Sequence, residues 1–122
     1  MSGTSHSSPQ AVREALAALE RYQLHLRQLA TRWADAELYH TLSLDLQEVR
    51  RCCHLLPTLT GEWVALLIAH AELSQALWRG APPQPAAVQA ERQRLLGRAG
   101  ECVRALQHRC MDLADGGTGG PH

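Results

Sequence analysis

Apolar residues recur every three or four positions along most of the 122-residue chain, and this spacing constrains the fold more than any other feature of the sequence. It is the spacing of one face of an α-helix, whereas a half-buried β-strand would place an apolar residue at every second position. No segment alternates with a convincing strand period, and no internal repeat is visible. The sequence therefore predicts an all-α protein.

The first helix is predicted over residues 9–33. Proline suits the first helical position and serine caps a helix N-terminus, so Pro9 can begin this helix behind the two serines that precede it. Near residue 34 the apolar row changes phase without a glycine or a proline. The change indicates either a tight corner with Asp35 as the N-cap of a second helix, which we favour, or one long bent helix.

Prolines and glycines bound the remaining helices. Pro57 ends the second helix near Leu56, because a proline cannot continue the hydrogen bonding of a helix. Thr60 is the expected N-cap of the third helix and Gly80 its C-cap. Pro85 opens a fourth helix after the stretch GAPPQP. The predicted ranges are 61–79 for the third helix and 85–114 for the fourth.

Four helices with short connections pack most simply as an antiparallel bundle. The apolar row of the fourth helix is narrow, which is typical of coiled-coil-like packing. A chain of this length fits one domain. We therefore expect an antiparallel four-helix bundle at residues 8–115, with a disordered N-terminal tail at 1–7 and a flexible glycine-rich tail at 116–122.

Charge and motifs argue against several classes of function. Twelve arginines balance twelve acidic residues, and the chain contains no lysine. A chain without net charge has no electrostatic reason to bind nucleic acid or an anionic membrane. The sequence contains neither a phosphate-binding loop nor a nucleophile elbow. We therefore expect no enzyme, and no cofactor, small-molecule substrate, nucleic acid or membrane as a ligand.

The N-terminal segment MSGTSHSSPQ lacks the basic and apolar regions of a secretory signal. The longest apolar run, WVALLIA at 63–69, is too short to span a bilayer. The expected location is therefore intracellular and cytoplasmic, with the nucleus left open as an alternative. In such a reducing compartment the four cysteines are expected to be thiols.

The stretch RRCCHLLP at 50–57 contains residue types of a metal or redox site, Cys52, Cys53 and His54. Consecutive side chains on a helix diverge by 100°, so these three cannot hold one ion. Cys53 falls in the centre of the apolar row of the second helix, and Cys52 falls at its margin. We therefore interpret Cys53 as a small buried hydrophobe.

One metal- or redox-sensing alternative stays open, because helices far apart in sequence can meet in space. It would bring Cys53 beside Cys102 or Cys110, with His108 near enough to share a zinc ion. No CxxC or HxxxH spacing supports such a site. We therefore assign no metal, and keep these four residues as the alternative hypothesis.

His70 lies in the middle of the apolar face predicted for the third helix, and Ser74 follows it one turn later on the same face. An interior histidine is normally neutral and hydrogen-bonded, and Ser74 would bond to a backbone carbonyl. The alternative is a group that responds to pH or contacts a partner. Both residues are therefore candidate buried polar positions.

The third helix is apolar around more than half of its circumference, which is more than one side of a small core can take up. Surplus apolar surface is typical of proteins that bind another protein. We expect a small helical interaction module: an adaptor, an assembly subunit or a chaperone-like binder of another helical protein, or a homodimer. The candidate partner surface comprises Leu44, Leu55, Val64 and Trp78.

Overall fold

A computed structural model describes the backbone of residues 3–33, 35–79 and 85–119, and the side chains of residues 9–33, 35–77 and 86–115. Over these residues the secondary structure is helical and no strand is present, so the predicted all-α class is confirmed. The helices are α1 (Gly3–Thr31), α2 (Ala36–His54), α3 (Thr60–Arg79) and α4 (Pro85–Gly119), with one 3₁₀ turn at Pro57–Leu59 between α2 and α3.

The first two helices run in opposite directions. Near one end Nη2 of Arg51 lies 2.9 Å from Oε1 of Glu14, and further along α1 the carboxylate of Asp45 lies against Arg21 and His25. Residue numbers therefore rise along α1 as they fall along α2. This is the antiparallel pairing that a short corner between two helices favours.

The second pair of helices is antiparallel in the same way. Glu62 and Glu72 on α3 lie 3.4 Å from Arg109 and Arg98 on α4, respectively. The helix α1 packs against both α2 and α4, and α3 packs along α4, whereas α2 and α3 contact each other over a much shorter stretch. These pairings confirm the predicted antiparallel four-helix bundle.

The core is a column of mostly aliphatic side chains to which all four helices contribute. Tyr22 is the largest side chain that is fully buried in it. Burying one leucine contributes about 1.5–3 kcal/mol, so this column supplies most of the drive to fold. Other fully buried members are Leu19, Leu29, Leu42, Val49, Leu66, Leu73, Val103 and Leu106.

The corner between α1 and α2 is built on Asp35. Its backbone is extended, with φ −78° and ψ 102°, and its Oδ1 accepts a hydrogen bond of 3.0 Å from the backbone N–H of Leu38. A carboxylate in this position satisfies one of the amide groups that a helix N-terminus leaves unpaired. The predicted corner with Asp35 as the N-cap is confirmed, and the alternative of one long bent helix is wrong.

The outer ends of the bundle differ from the expected tails. The helix α1 begins at Gly3, so Pro9 lies inside it and residues 3–7 belong to it. The helix α4 continues past residue 114 to Gly119. Neither extension follows from local propensity, because Pro9 has no amide hydrogen to donate inside α1, and Gly116, Gly117 and Gly119 are poor helix formers. Residues 1, 2 and 120–122 lie outside the described residues.

The connection between α2 and α3 follows the predicted stop at Pro57, with α2 ending at His54. Thr60 is not the free N-cap that was expected. Its backbone is helical, and both its N–H and its hydroxyl bond to the carbonyl of Pro57, the hydroxyl at 2.8 Å. The 3₁₀ turn thus runs directly into α3, and the carbonyl of Pro57 accepts from both the amide and the hydroxyl of Thr60. Gly80 and the linker after it lie outside the described residues.

We expect Asp35→Ala to lower the free energy of unfolding by about 0.5–2 kcal/mol, because the N-terminal amides of α2 lose their acceptor. Chemical denaturation monitored by circular dichroism measures this change. The matched control is Asp112→Ala, since Asp112 is exposed on α4 and caps no helix; its effect should stay within about 0.5 kcal/mol. Equal effects of the two variants would contradict the capping role.

Candidate functional site

The outward face of α3 differs in composition from the rest of the surface. Residues Leu66, Ala69, His70 and Leu73 turn inward, and eight residues between positions 60 and 75 are exposed. None of the eight carries a charge, whereas arginine and acidic residues are exposed on α1, α2 and α4. The exposed set is Thr60, Gly61, Val64, Ala65, Leu67, Ile68, Ala71 and Gln75. We call this set the α3 face.

Three large aliphatic side chains form the centre of the α3 face. Val64, Leu67 and Ile68 are 42%, 43% and 51% exposed. Residues spaced by three and four positions are neighbours on a helix surface, so the three make one continuous apolar patch. The two acidic residues of this part of α3, Glu62 and Glu72, turn toward α4 and pair with its arginines. The patch therefore has no charge of its own.

The structure distributes the predicted partner residues over two helices. Val64 belongs to the α3 face, whereas Leu44, 49% exposed, lies on the outward side of α2. Leu55, 55% exposed, is the C-cap residue of α2. The side chain of Trp78 lies outside the described residues.

Sequence reasoning missed Leu67 and Ile68 as surface residues. A signal for them was present, because the nine residues from Trp63 to Ala71 contain no arginine and no acidic residue. An exposed helix of a soluble bundle normally carries charges on its outer side. A long uncharged stretch in a helix with one buried face indicates that its other face is apolar as well.

Behind the α3 face, His70 forms a buried polar cluster with side chains of two other helices. Its Nδ1 lies 2.9 Å from the hydroxyl of Tyr22 on α1. Its Nε2 lies 3.2 Å from the hydroxyl of Tyr39 and 3.4 Å from that of Ser43, both on α2. The ring of Tyr39 also stacks on the imidazole, with 5.4 Å between centroids. One side chain of α3 thus joins three helices.

The cluster suits a neutral imidazole. A neutral ring has one donor and one acceptor nitrogen, and the surrounding hydroxyls can serve either. Burial lowers the pKa of His70 to about 4, and burial likewise raises the pKa of Tyr22 well above its usual value. His70 is 7% exposed, which agrees with the predicted interior position. Ser74 is half-buried and takes no part in the hydrogen bonds of His70 that the described residues form.

A second polar group, centred on Asp45, lies between α1 and α2. Asp45 is 7% exposed. Its Oδ2 lies 2.5 Å from Nδ1 of His25, and its Oδ1 lies 3.8 Å from Nε of Arg21. Sequence reasoning did not single out this group, because nothing in the sequence distinguishes Asp45 from the exposed acidic residues. It is the packing of α1 along α2 that buries it. The pairing compensates a carboxylate that would otherwise be costly to bury.

The four cysteines are free thiols that the structure leaves without a shared metal site. Cys53 and Cys110 are buried, Cys102 is half-buried and His108 is exposed. Burial raises the pKa of Cys53 to about 12 and that of Cys110 to about 11, so both are protonated and unreactive near neutral pH. Among the described residues, the ligand atoms of Cys53, Cys102, His108 and Cys110 are not gathered within the reach of one ion.

A different group has the spacing of metal ligands, namely Glu14 on α1 with Glu48 and Cys52 on α2. A cation already occupies it, since the guanidinium of Arg51 bonds to both carboxylates and lies 3.8 Å from the sulfur of Cys52. Arg51 lowers the pKa of both Glu14 and Glu48 by these hydrogen bonds. The group is accordingly an ion-pair network that ties α1 to α2.

The structure corrects the expected position of Cys52. The apolar row of α2 places it at the margin, whereas it is fully buried, at least as deeply as Cys53. The reason is that α1 covers the flank of α2 on which Cys52 lies, as the contact between Arg51 and Glu14 shows. The core is therefore wider than the single row of α2 indicates.

No match to this chain emerges from comparison with protein-family models, with curated proteins or with solved structures. In the part of the chain that the structure describes, no helix combines the length and the apolar character that crossing a membrane requires. Any functional proposal therefore rests on the geometry of the site.

We expect acid to destabilise the fold through His70. Its pKa is about 4 in the folded protein, against 6.5 for a histidine in an unfolded chain, so the unfolded state binds the proton more readily. The stability that the neutral ring contributes is therefore complete above pH 6.5 and is lost as the pH falls toward 4. The full loss is on the order of 3 kcal/mol.

Denaturation midpoints at pH 7 and pH 4.5 measure this effect in His70→Gln, which cannot titrate at that position. The variant should lose less stability than the wild type over this interval. The matched control is His40→Gln, because His40 is exposed on α2; it should behave as the wild type does. An NMR titration that gave His70 an ordinary pKa near 6.5 would refute the buried neutral ring.

We expect Cys52→Ser to destabilise the protein by about 1–3 kcal/mol, because the hydroxyl replaces a thiol that has no contact with solvent. Cys102→Ser, at a half-buried position, should have a smaller effect. Equilibrium unfolding of the two variants measures the difference. Equal stability losses would mean that Cys52 is no more enclosed than Cys102.

Proposed function

We propose that this protein is a small helical interaction module that binds another protein through the α3 face. The observation that carries the proposal is the half-exposed, uncharged patch of Val64, Leu67 and Ile68. Single exposed aliphatic residues are normal on any protein, whereas a continuous apolar patch is typical of a binding surface. Adaptors, assembly subunits and chaperone-like binders of helical proteins all use surfaces of this kind.

The way in which α3 is held supports this function. On one side its two glutamates pair with arginines of α4. On the other side His70 bonds to hydroxyls of α1 and α2. Because α3 is fixed on both flanks, the α3 face is presented in one orientation before any partner arrives. A surface that is already ordered loses less conformational entropy on binding.

The mode of binding that fits such a face is helix packing. The exposed residues follow the i, i+3, i+4, i+7 pattern through Val64, Leu67, Ile68 and Ala71. This is the pattern by which an amphipathic helix lies against a helix or in a groove of another protein. The low charge of the face favours a partner surface that is apolar rather than one that is strongly acidic or basic.

A photo-crosslinking residue placed at position 68 in cells of the source organism tests the proposal. We expect a discrete protein adduct from position 68, because a bound partner would lie on the α3 face. The matched control is position 24, since Leu24 is 53% exposed against 51% for Ile68 but lies on α1 among charged residues. Adducts that are equally weak and diffuse from both positions would refute the proposal.

A further inference from the structure

We propose that the occupant of the α3 face is a second copy of the same chain, with α3 packed antiparallel on α3 about a two-fold axis between Leu67 and Ile68. This inference rests on the proposed function and names the partner for that same surface. Two-fold contacts are the commonest arrangement in soluble oligomers, and they use one self-complementary surface on both copies. The α3 face has two properties that favour such a contact.

The first property is the absence of charge. A two-fold contact places residues near the axis close to the equivalent residues of the other copy. A charged side chain near the axis therefore lies close to a side chain of the same charge. Like charges across an interface are unfavourable by several kcal/mol in general. The exposed faces of α1, α2 and α4 all carry arginine or acidic side chains, whereas the α3 face carries none from Thr60 to Gln75. Among the described helices, α3 is the one that can pack on itself without this repulsion.

The second property is the order of large and small side chains. With the axis between Leu67 and Ile68, each Leu67 lies opposite Ile68 of the second copy, and each Val64 lies opposite its Ala71. Large side chains thus lie opposite each other at the axis, and one turn away a large side chain lies opposite a small one. Alternation of large and small side chains allows packed helices to interdigitate. Further out, Gln75 lies opposite Thr60 of the second copy, next to its Gly61. A side chain added at Gly61 would meet nothing within 4 Å, so there is room for that glutamine.

The size of the face indicates how tight the dimer is. The strip from Thr60 to Gln75 covers sixteen residues, which at 1.5 Å per residue is about 24 Å long, and one helix face is about 10 Å wide. Stable interfaces bury about 800 Å² on each partner, which is several times the footprint of this strip. The dimer should therefore dissociate on dilution, with a dissociation constant of about 1–100 µM.

Sedimentation velocity of the full chain over a range of about 1–500 µM tests the dimer against this expected affinity. The wild type and Leu24→Glu should both shift from monomer to dimer as concentration rises. Ile68→Glu should remain monomeric over this whole range. Ala71→Arg, at a small exposed position, provides a second variant if Ile68→Glu unfolds, and it should weaken the dimer as well. Circular dichroism verifies that each variant is folded.

Charge complementation tests the proposed register. Position 68 of one copy lies near position 68 of the other across the axis, so a mixture of Ile68→Glu and Ile68→Arg should associate although each variant alone does not. Failure of the mixture, or loss of the dimer in Leu24→Glu, would overturn the α3–α3 contact.

The crosslinking experiment separates this inference from the function on which it rests. An adduct at position 68 with twice the mass of the chain supports the second copy. A wild type that is monomeric at every concentration, with an adduct of position 68 to a different protein, overturns the homodimer and leaves the interaction module intact. A monomer without any adduct overturns both.

Discussion

The hydrogen bonds of His70 are the constraint on which the placement of α3 depends. This helix has only a short contact with α2, yet its imidazole bonds to hydroxyls of Tyr22 on α1 and Tyr39 on α2. Rotating or sliding α3 would separate these groups and leave polar atoms unpaired in the core, which is far more costly than shifting one aliphatic contact. Together with the ion pairs to α4, the cluster therefore fixes the rotation of α3, and with it the residues that α3 presents to solvent.

Local chemistry made part of this structure predictable. The corner at Asp35 could be predicted because an N-cap depends only on the residue and the few amides that follow it. The interior position of His70 could also be predicted, since helical periodicity alone places it among apolar neighbours. The antiparallel bundle followed from four amphipathic segments joined by short connections. The corner and the position of His70 are each decided within one helix or one turn, and the bundle follows from the number of helices and the shortness of their connections.

The features that sequence reasoning missed are decided between helices. The hydroxyl partners of His70 come from positions 48 and 31 residues away, and no pattern in α3 points to them. Cys52 is buried because α1 covers the side of α2 that the apolar row leaves open. Likewise, α3 is apolar on two sides. Which side is buried depends on where the other helices pack, and they cover Leu66 but not Ile68. Periodicity gives the face of a helix, whereas packing decides how wide that face is.

The order of helix contacts also bears on how the chain folds. The α1–α2 and α3–α4 contacts join helices adjacent in sequence, whereas the α1–α4 contact joins the first and the last helix of the chain. Contacts between neighbouring segments form quickly, because little chain must be ordered before they are made. We therefore expect two helical hairpins to form first and the α1–α4 seam to join them last. Because the entropy lost in closing a loop grows only with the logarithm of its length, the long separation of α1 from α4 in the sequence adds little to the cost of that last contact.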